Sequence, residues 1–207
     1  MKISHGELEL CLQQPRAWVR EKITTAPHGL KMGYRRALLL SIYRYHKTKQ
    51  TIVARQYLRD IIQRHQFKNI ARIDEIEVAF ESYVKWCESE NIAVADNHVR
   101  IGLGSGYLTL IGEVQRVDVT PEFYRAVLLG SFPANWRRQL RMPLIQKAIS
   151  EQFARPLNEV AVAVQQLDGS NLQVRSYSAN TVARTERRFK ELARRLEQYS
   201  RAIPASE

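Results

Sequence analysis

The period of the hydrophobic pattern changes near Asn97, and this change limits the folds that the chain can adopt. Up to Ser89, apolar residues recur at spacings of three and four, as they do on amphipathic helices. After Asn97 apolar and polar residues alternate, which is typical of strands. We therefore predict an α/β (α+β) fold with a helical N-terminal half and a central mixed sheet of about five strands flanked by helices.

The second half of the chain returns to helix twice. The predicted order is three strands, a helix, two strands and a last helix, over residues 98–104, 107–119, 123–129, 133–153, 159–167, 172–178 and from about 179. A chain of 207 residues with 44% hydrophobic residues can build one core of good size but is short for two domains. We expect a single domain over 1–207, with 1–95 mainly helical and 96–203 forming the sheet core and the C-terminal helix.

Basic residues are unevenly distributed along the chain. The formal net charge is +11, and residues 31–59 contain eight basic side chains and no acidic one, whereas residues 74–90 contain six acids. Such a balance favours a polyanionic partner, so nucleic acid is expected. Trp136 beside Arg137 and Arg138 could stack on bases or anchor its helix in the core. The candidate contacts to nucleic acid are Arg35, Arg36, Arg44, Lys47, Arg137, Arg138, Arg141, Arg187 and Arg188.

Features of export or membrane insertion are missing from the sequence. It contains no run of eighteen apolar residues and no signal-type apolar segment. Cys11 and Cys87 are too few for a disulfide framework or a four-thiolate site, and the histidines show no zinc-ligand spacing with them. We expect a cytoplasmic protein with no membrane partner, in which both cysteines are small core residues.

Four stretches, taken in order, resemble the RecB-like branch of the PD-(D/E)XK nuclease superfamily. The opening ISHGELELCLQQPRAWVREKI and the helix GYRRALLLSIYRYH are followed by the strands LIGEVQRVDV and FYRAVLLG. The fourth is the helix WRRQLRMPLIQKAISEQF, which precedes the strand EVAVAVQQL. LIGEVQRVDV is similar to the family pattern Gly-x-x-Asp-Arg-x-Asp. The resemblance spans most of the chain and implies a restriction-endonuclease-like core.

Most residues that perform catalysis in that family have no counterpart here. The family holds a divalent cation with an Asp of one strand, an Asp or Glu of the next and a helical His, and a Lys activates water. Gln139 matches the family's Gln. The iron–sulfur subset places a Cys before the Pro-Arg pair, where this chain has Gln14, so no cluster is expected. The remaining family positions hold Ala37, Gln115, Leu128 or Leu129, and Gly130 or Ser131.

Three functional hypotheses follow. The first is a non-catalytic nucleic-acid-binding module with no cofactor, for which DNA is the expected ligand. It would work with other protein subunits in a repair, recombination or phage-defence complex. The second is a magnesium-dependent nuclease with a rearranged site; Glu113 and Asp118 are an odd number of residues apart, which predicts opposite faces of their strand. The third is a protein-interaction scaffold in which the acidic segment 75–88 docks a basic partner. Candidate residues for the second are Glu113, Asp118, Glu122, His46 and Gln139.

Overall fold

A computed structural model describes residues 1–24 and 32–202 of the chain. Lys31 and Ile203, at the ends of two segments discussed above, lie outside the described residues. The helices are α1 (Leu8–Gln13), α2 (Pro15–Thr24), α3 (Tyr34–Thr48), α4 (Thr51–Arg64), α5 (Ile70–Ser89), α6 (Arg141–Gln152) and α7 (Ala179–Arg201). The strands are β1 (Lys2–Ser4), β2 (Ala93–Ser105), β3 (Leu108–Val119), β4 (Tyr124–Leu129), β5 (Val160–Gln165) and β6 (Gln173–Arg175).

The strands form one mixed sheet of six, with β3 at its centre. Along one edge β3 pairs antiparallel with the whole of β2. Its other edge is shared, because β1 runs parallel to Thr109–Ile111 and β4 runs antiparallel to Arg116–Val119. β4 also pairs in parallel with β5, and β5 pairs antiparallel with β6. Residues 112–115 of β3 therefore face a gap between β1 and β4 in the described sheet, which we call the fork.

Helices cover both faces of this sheet. On one face α3, α4 and α5 pack on Val127 and Leu129 of β4, while Ala126 and Leu128 point to α6 on the other face. This is the alternation that a strand buried on both sides requires. A third cluster joins α1, α2 and α7 to β1 and to the ends of β2 and β3. The predicted fold class is confirmed. Each described helix is too short or too polar to span a membrane.

Two predicted segments differ in the structure. The mainly helical part, 1–95, also contains β1 and the start of β2, so the sheet has one strand more than expected. Ser4 and Glu7 form the reciprocal bonds of a capping box, with Glu7 N donating to Ser4 Oγ over 3.2 Å, but the helix begins at Leu8 because residues 2–4 pair with β3. Within 133–153, a 3₁₀ turn over Trp136–Arg138 precedes α6. Pro143 lacks an N–H and fits only the first turn of α6, which explains the interruption.

Candidate nucleic-acid interface

The fork is closed by the side chain of Gln115, the residue at the family's metal-binding aspartate position. Its Oε1 accepts a hydrogen bond from Leu129 N over 2.9 Å, and its Nε2 donates to Glu113 O over 3.2 Å. An amide can accept and donate at once, whereas a carboxylate could only accept. Gln115 is buried, and it takes the place of the missing main-chain bonds between β3 and β4.

Glu113 lies at the fork with its carboxylate engaged by three donors. The Tyr43 hydroxyl donates to it, Arg36 Nη1 lies 3.3 Å away, and His98 Nε2 lies 2.9 Å away. Burial opposes ionisation of Glu113, but the Tyr43 hydrogen bond and the charges of His98 and Arg36 outweigh it and lower its pKa. Beneath the carboxylate, the rings of Tyr43 and His98 stack with centroids 4.6 Å apart. Glu113 is thus an ionised group already bound by the protein itself.

Asp118 is the centre of a buried ion-pair network. Arg116, which has no exposed surface, pairs with it, and Arg125 Nη2 lies 2.8 Å from its Oδ2. Arg116 also donates to the Tyr83 hydroxyl of α5 and, over 3.1 Å, to Gln165 Oε1 of β5. Arg116 keeps its charge because these acceptors compensate for the loss of water.

The prediction that Glu113 and Asp118 point to opposite faces is wrong. Glu113 contacts α3, and the Arg116 and Asp118 pair contacts α5, which covers the same face. Val114 and Val117, three residues apart, both pack on the α6 side, so the alternation of β3 is interrupted between them. His98, on the paired strand β2, has a left-handed φ of 57° at this level. Each carboxylate nonetheless has its own cationic partners, and they have none in common.

The other residues of the rearranged-nuclease hypothesis are dispersed. Glu122 is exposed in the turn between β3 and β4, and Gln139 Oε1 accepts a hydrogen bond from Arg141 Nε over 2.8 Å. His46 is buried against the Tyr83 hydroxyl at 2.8 Å, and burial, aided by the Arg116 charge, lowers the pKa of His46 to about 3.

A magnesium ion does not fit the donors at the fork. It would need several free oxygen ligands in near-octahedral geometry. The fork instead offers one carboxylate with three protein partners and one amide, Gln115, that is engaged at both ends. Within residues 1–24 and 32–202, no three His, Cys, Asp or Glu side chains are grouped as metal ligands.

The predicted nucleic-acid contacts lie in two helical layers. On α3, Arg35 donates to Leu129 O over 3.0 Å, Arg36 pairs with Glu113, and Arg44 and Lys47 are exposed beside β2. Arg35 reaches its carbonyl by lying over Gly130, where a β-carbon would stand 2.6 Å from its Nη2. Arg35 and Arg36 therefore already have acceptors within the protein, a main-chain carbonyl and a carboxylate. The other predicted contacts belong to the α6 and α7 layer.

In that layer the structure places four arginines along one groove of about 210 Å³. The groove runs between the 3₁₀ turn and α7, and none of the described residues that line it is acidic. Arg184 and Arg188 are one helical turn apart, so they share a face of α7. Three of the four were predicted as contacts and Arg184 was missed, although its spacing from Arg188 was a usable signal. We call this site the arginine groove, after its four arginines, Arg137, Arg138, Arg184 and Arg188.

Arg187 and Arg141 do not line the arginine groove. Arg187 is exposed elsewhere on α7. The Arg141 guanidinium lies 5.7 Å from the Phe132 ring centroid, and burial lowers its pKa. Trp136 is 2% exposed and donates from Nε1 to Gln173 Oε1 over 3.0 Å. Trp136 is therefore a core anchor and leaves no ring face for a base.

Part of the acidic charge of α5 is neutralised within the protein. Glu81 receives two hydrogen bonds from Arg55 of α4, at 2.6 and 2.7 Å, and Glu77 lies 3.5 Å from Arg59. These pairs hold α4 against α5. They reduce the charge that the acidic segment 75–88 could offer to a basic partner.

Comparison with known proteins gives a fold and no family. No family model matches the sequence, and no curated protein matches it. A crystal structure from Eubacterium rectale, described as a "Putative exonuclease", is similar with a TM-score of 0.52 and 8% identity, over 89% of this chain and 74% of that one. A structure described as "SSO0001" aligns with a TM-score of 0.30 and 8% identity, over 89% and 85% of the two chains. The first similarity shows a nuclease-like α/β fold, as the superfamily resemblance implied.

Proposed function

We propose that this protein is a non-catalytic nucleic-acid-binding module built on a nuclease-like fold, with DNA as its expected ligand. It holds the phosphate backbone through the arginine groove. Its place as a subunit of a repair, recombination or phage-defence complex follows from the superfamily resemblance. The single observation that supports binding is the arginine groove.

The charge arrangement of the groove favours an anionic ligand. Arg184 and Arg188 are like charges one turn apart, which costs a helix about 0.2–0.5 kcal/mol. In the part of the chain that the structure describes, no carboxylate lines the groove to offset that repulsion. Arginine is also the side chain best suited to phosphate, because its planar fork donates two parallel hydrogen bonds. A phosphate backbone would neutralise all four charges.

The chemistry of the fork supports the non-catalytic part of the proposal. At the family's carboxylate positions the chain has the bridging Gln115 and the buried Leu128 and Leu129. Glu113 is bound by Tyr43, Arg36 and His98. A metal-dependent nuclease would need to release these contacts before a cation could bind.

The test measures the binding of labelled duplex DNA by fluorescence anisotropy across a salt series. Each phosphate contact contributes about 0.9 to the slope of log K against log salt. The double variant Arg184→Gln/Arg188→Gln should therefore lower the slope by about 1.8 and weaken binding at every salt concentration.

A matched control removes the same charge outside the groove. Arg64 and Lys68 are exposed on the other helical layer, and Arg64→Gln/Lys68→Gln changes the net charge by the same amount. If both double variants behave alike, binding depends on net charge and the groove is not the interface. Running the assay with magnesium, manganese or a chelator tests catalysis. Metal-dependent cleavage that disappears in Glu113→Gln would overturn the non-catalytic proposal and establish the nuclease hypothesis.

A further inference from the structure

A second basic pocket lies on the opposite helical layer from the arginine groove, between α3, α4 and β2. It has a volume of about 510 Å³, within the range of roughly 300–1,000 Å³ that small-molecule sites occupy. Cationic, aromatic and amide groups all meet there. Its lining residues are Leu40, Tyr43, Arg44, Lys47, Tyr57, Asp96, Asn97 and His98.

One wall of the pocket is aromatic and rigid. The Tyr43 and His98 rings stack almost parallel, at 7°, and Glu113 binds both of them. Tyr57 of α4 is half-buried against the same helical layer. The guanidinium of Arg44 lies 5.9 Å from its ring centroid, close to the limit of about 6 Å for cation–π attraction. That contact is weak enough to be exchanged for a stacked ligand.

The polar groups of the pocket separate into two ends. Arg44 and Lys47 are exposed on α3, and neither forms an ion pair with any residue of the described ranges. Asp96 and Asn97 lie at the β2 end, where Asp96 Oδ1 accepts from Asn97 N over 2.7 Å. A phosphate would be attracted to the cationic end and repelled by Asp96. The carboxylate and the amide can instead accept from and donate to the edge of a base.

We propose that this pocket binds an unpaired nucleotide of a single strand, with its base stacked at Tyr57 and Arg44 and its phosphate held by Arg44 and Lys47. Planar aromatic and guanidinium groups are the surfaces on which unpaired bases stack. A base in a duplex has both faces covered and cannot use them. The inference extends the proposed function, since it names single-stranded nucleic acid as a ligand that the protein distinguishes from duplex.

Tyr57 is the residue that decides between this role and a structural one. Lys47, in the last turn of α3, also stabilises the helix end, so its loss alone would be ambiguous. Tyr57→Leu keeps an apolar side chain against the core but removes the aromatic face. Tyr57→Phe keeps the face. Arg64→Ala, which removes a charge from the neighbouring helix α4 outside the pocket, is the matched control for Arg44→Ala.

The experiment measures the affinity of labelled oligothymidylate of about 12 nucleotides and of a duplex of equal length. Tyr57→Leu should weaken single-strand binding about 5- to 150-fold, the contribution of one base stack, and leave duplex binding unchanged. Arg44→Ala should weaken single-strand binding, and Tyr57→Phe and Arg64→Ala should resemble the unaltered protein. Unchanged single-strand affinity in Tyr57→Leu, or equal losses for both ligands, would overturn the inference.

The pocket can also be tested apart from the proposed function. If the protein binds neither polynucleotide, the proposed function fails, and thymidine 5′-monophosphate is then titrated while the NMR signals of His98 and Tyr57 are followed. His98 shifts that disappear in Tyr57→Leu would support a nucleotide pocket. Absence of shifts in the unaltered protein would overturn it. If duplex binding depends on the arginine groove but Tyr57→Leu leaves single-strand affinity unchanged, the proposed function stands and the nucleotide pocket is refuted.

Discussion

Replacing Asp118 with Asn should be among the most damaging single changes in the sheet. Asp118 is 1% exposed and Arg116 is fully buried, so loss of the negative charge leaves a guanidinium uncompensated in the interior. Removing one partner of a buried pair costs about 3–5 kcal/mol. For a chain of this size each kcal/mol lowers Tm by about 2–4 °C, so we expect a fall of roughly 6–20 °C.

A double variant separates the cost of an unpaired charge from the cost of altered packing. Arg116→Met/Asp118→Leu removes the fully buried pair and leaves only the more exposed Arg125 without its carboxylate, so it should be more stable than Asp118→Asn. It should still be about 1–3 kcal/mol below the unaltered protein, because Gln165 Oε1 loses the donor that Arg116 supplied.

The assay is urea unfolding followed by circular dichroism, with Glu81→Gln as the control. Glu81 pairs with Arg55 at the surface, where such a pair contributes about 0–1 kcal/mol. An Asp118→Asn variant that loses less than about 1 kcal/mol, or a double variant less stable than the single one, would refute the reasoning.

Three further changes test other parts of the fold. Gly169 has a φ of 88°, and a β-carbon there would lie 2.8 Å from Trp86 Cβ. Gly169→Ala should therefore lower the free energy of unfolding in urea by about 1–3 kcal/mol. Gly104→Ala, whose β-carbon would stand in open space, should lower it less. His46 has a folded pKa of about 3, below its unfolded value, so the unfolded state binds the proton first as the pH is lowered. The free energy of unfolding should therefore fall by up to about 1.4 kcal/mol for each pH unit from about pH 6.5 down to about pH 3. His46→Gln should flatten that pH dependence. Burial raises the pKa of Cys11 to about 12, so a thiol reagent followed by mass spectrometry should modify it only after unfolding.

Local sequence patterns predicted most of the helices and the longer strands. The change of period near Asn97 lies inside β2, and the predicted start at Ala179 is the first residue of α7. β1 was missed because three residues carry no measurable alternation, and its pairing partner is distant in sequence. Ser4 and Glu7 also have the spacing of a capping box, which is typical of a helix start.

The site was harder to predict than the fold, because its contacts depend on tertiary packing. Arg116 stands between Gln115 and Val117 in a strand, and nothing near it in sequence indicates that Tyr83 and Gln165 will surround it. Similarly, the spacing of Arg184 and Arg188 predicts a shared face of α7, but their approach to the 3₁₀ turn requires α6 and α7 to pack together. Side-chain type predicted a basic interface, whereas the arginine groove that we propose for it is defined only by the fold.

The pairing of β1 with β3 has a consequence for the order in which the protein folds during synthesis. Lys2–Ser4 are synthesised before their partners, Thr109–Ile111, by an interval of more than a hundred residues. Contacts of such large sequence separation form slowly, because a long loop must be closed first. The nascent chain therefore carries the apolar Ile3 uncovered until Thr109–Ile111 have been made. The helices α3 to α5, whose contacts are local, are the part able to fold before that strand is captured.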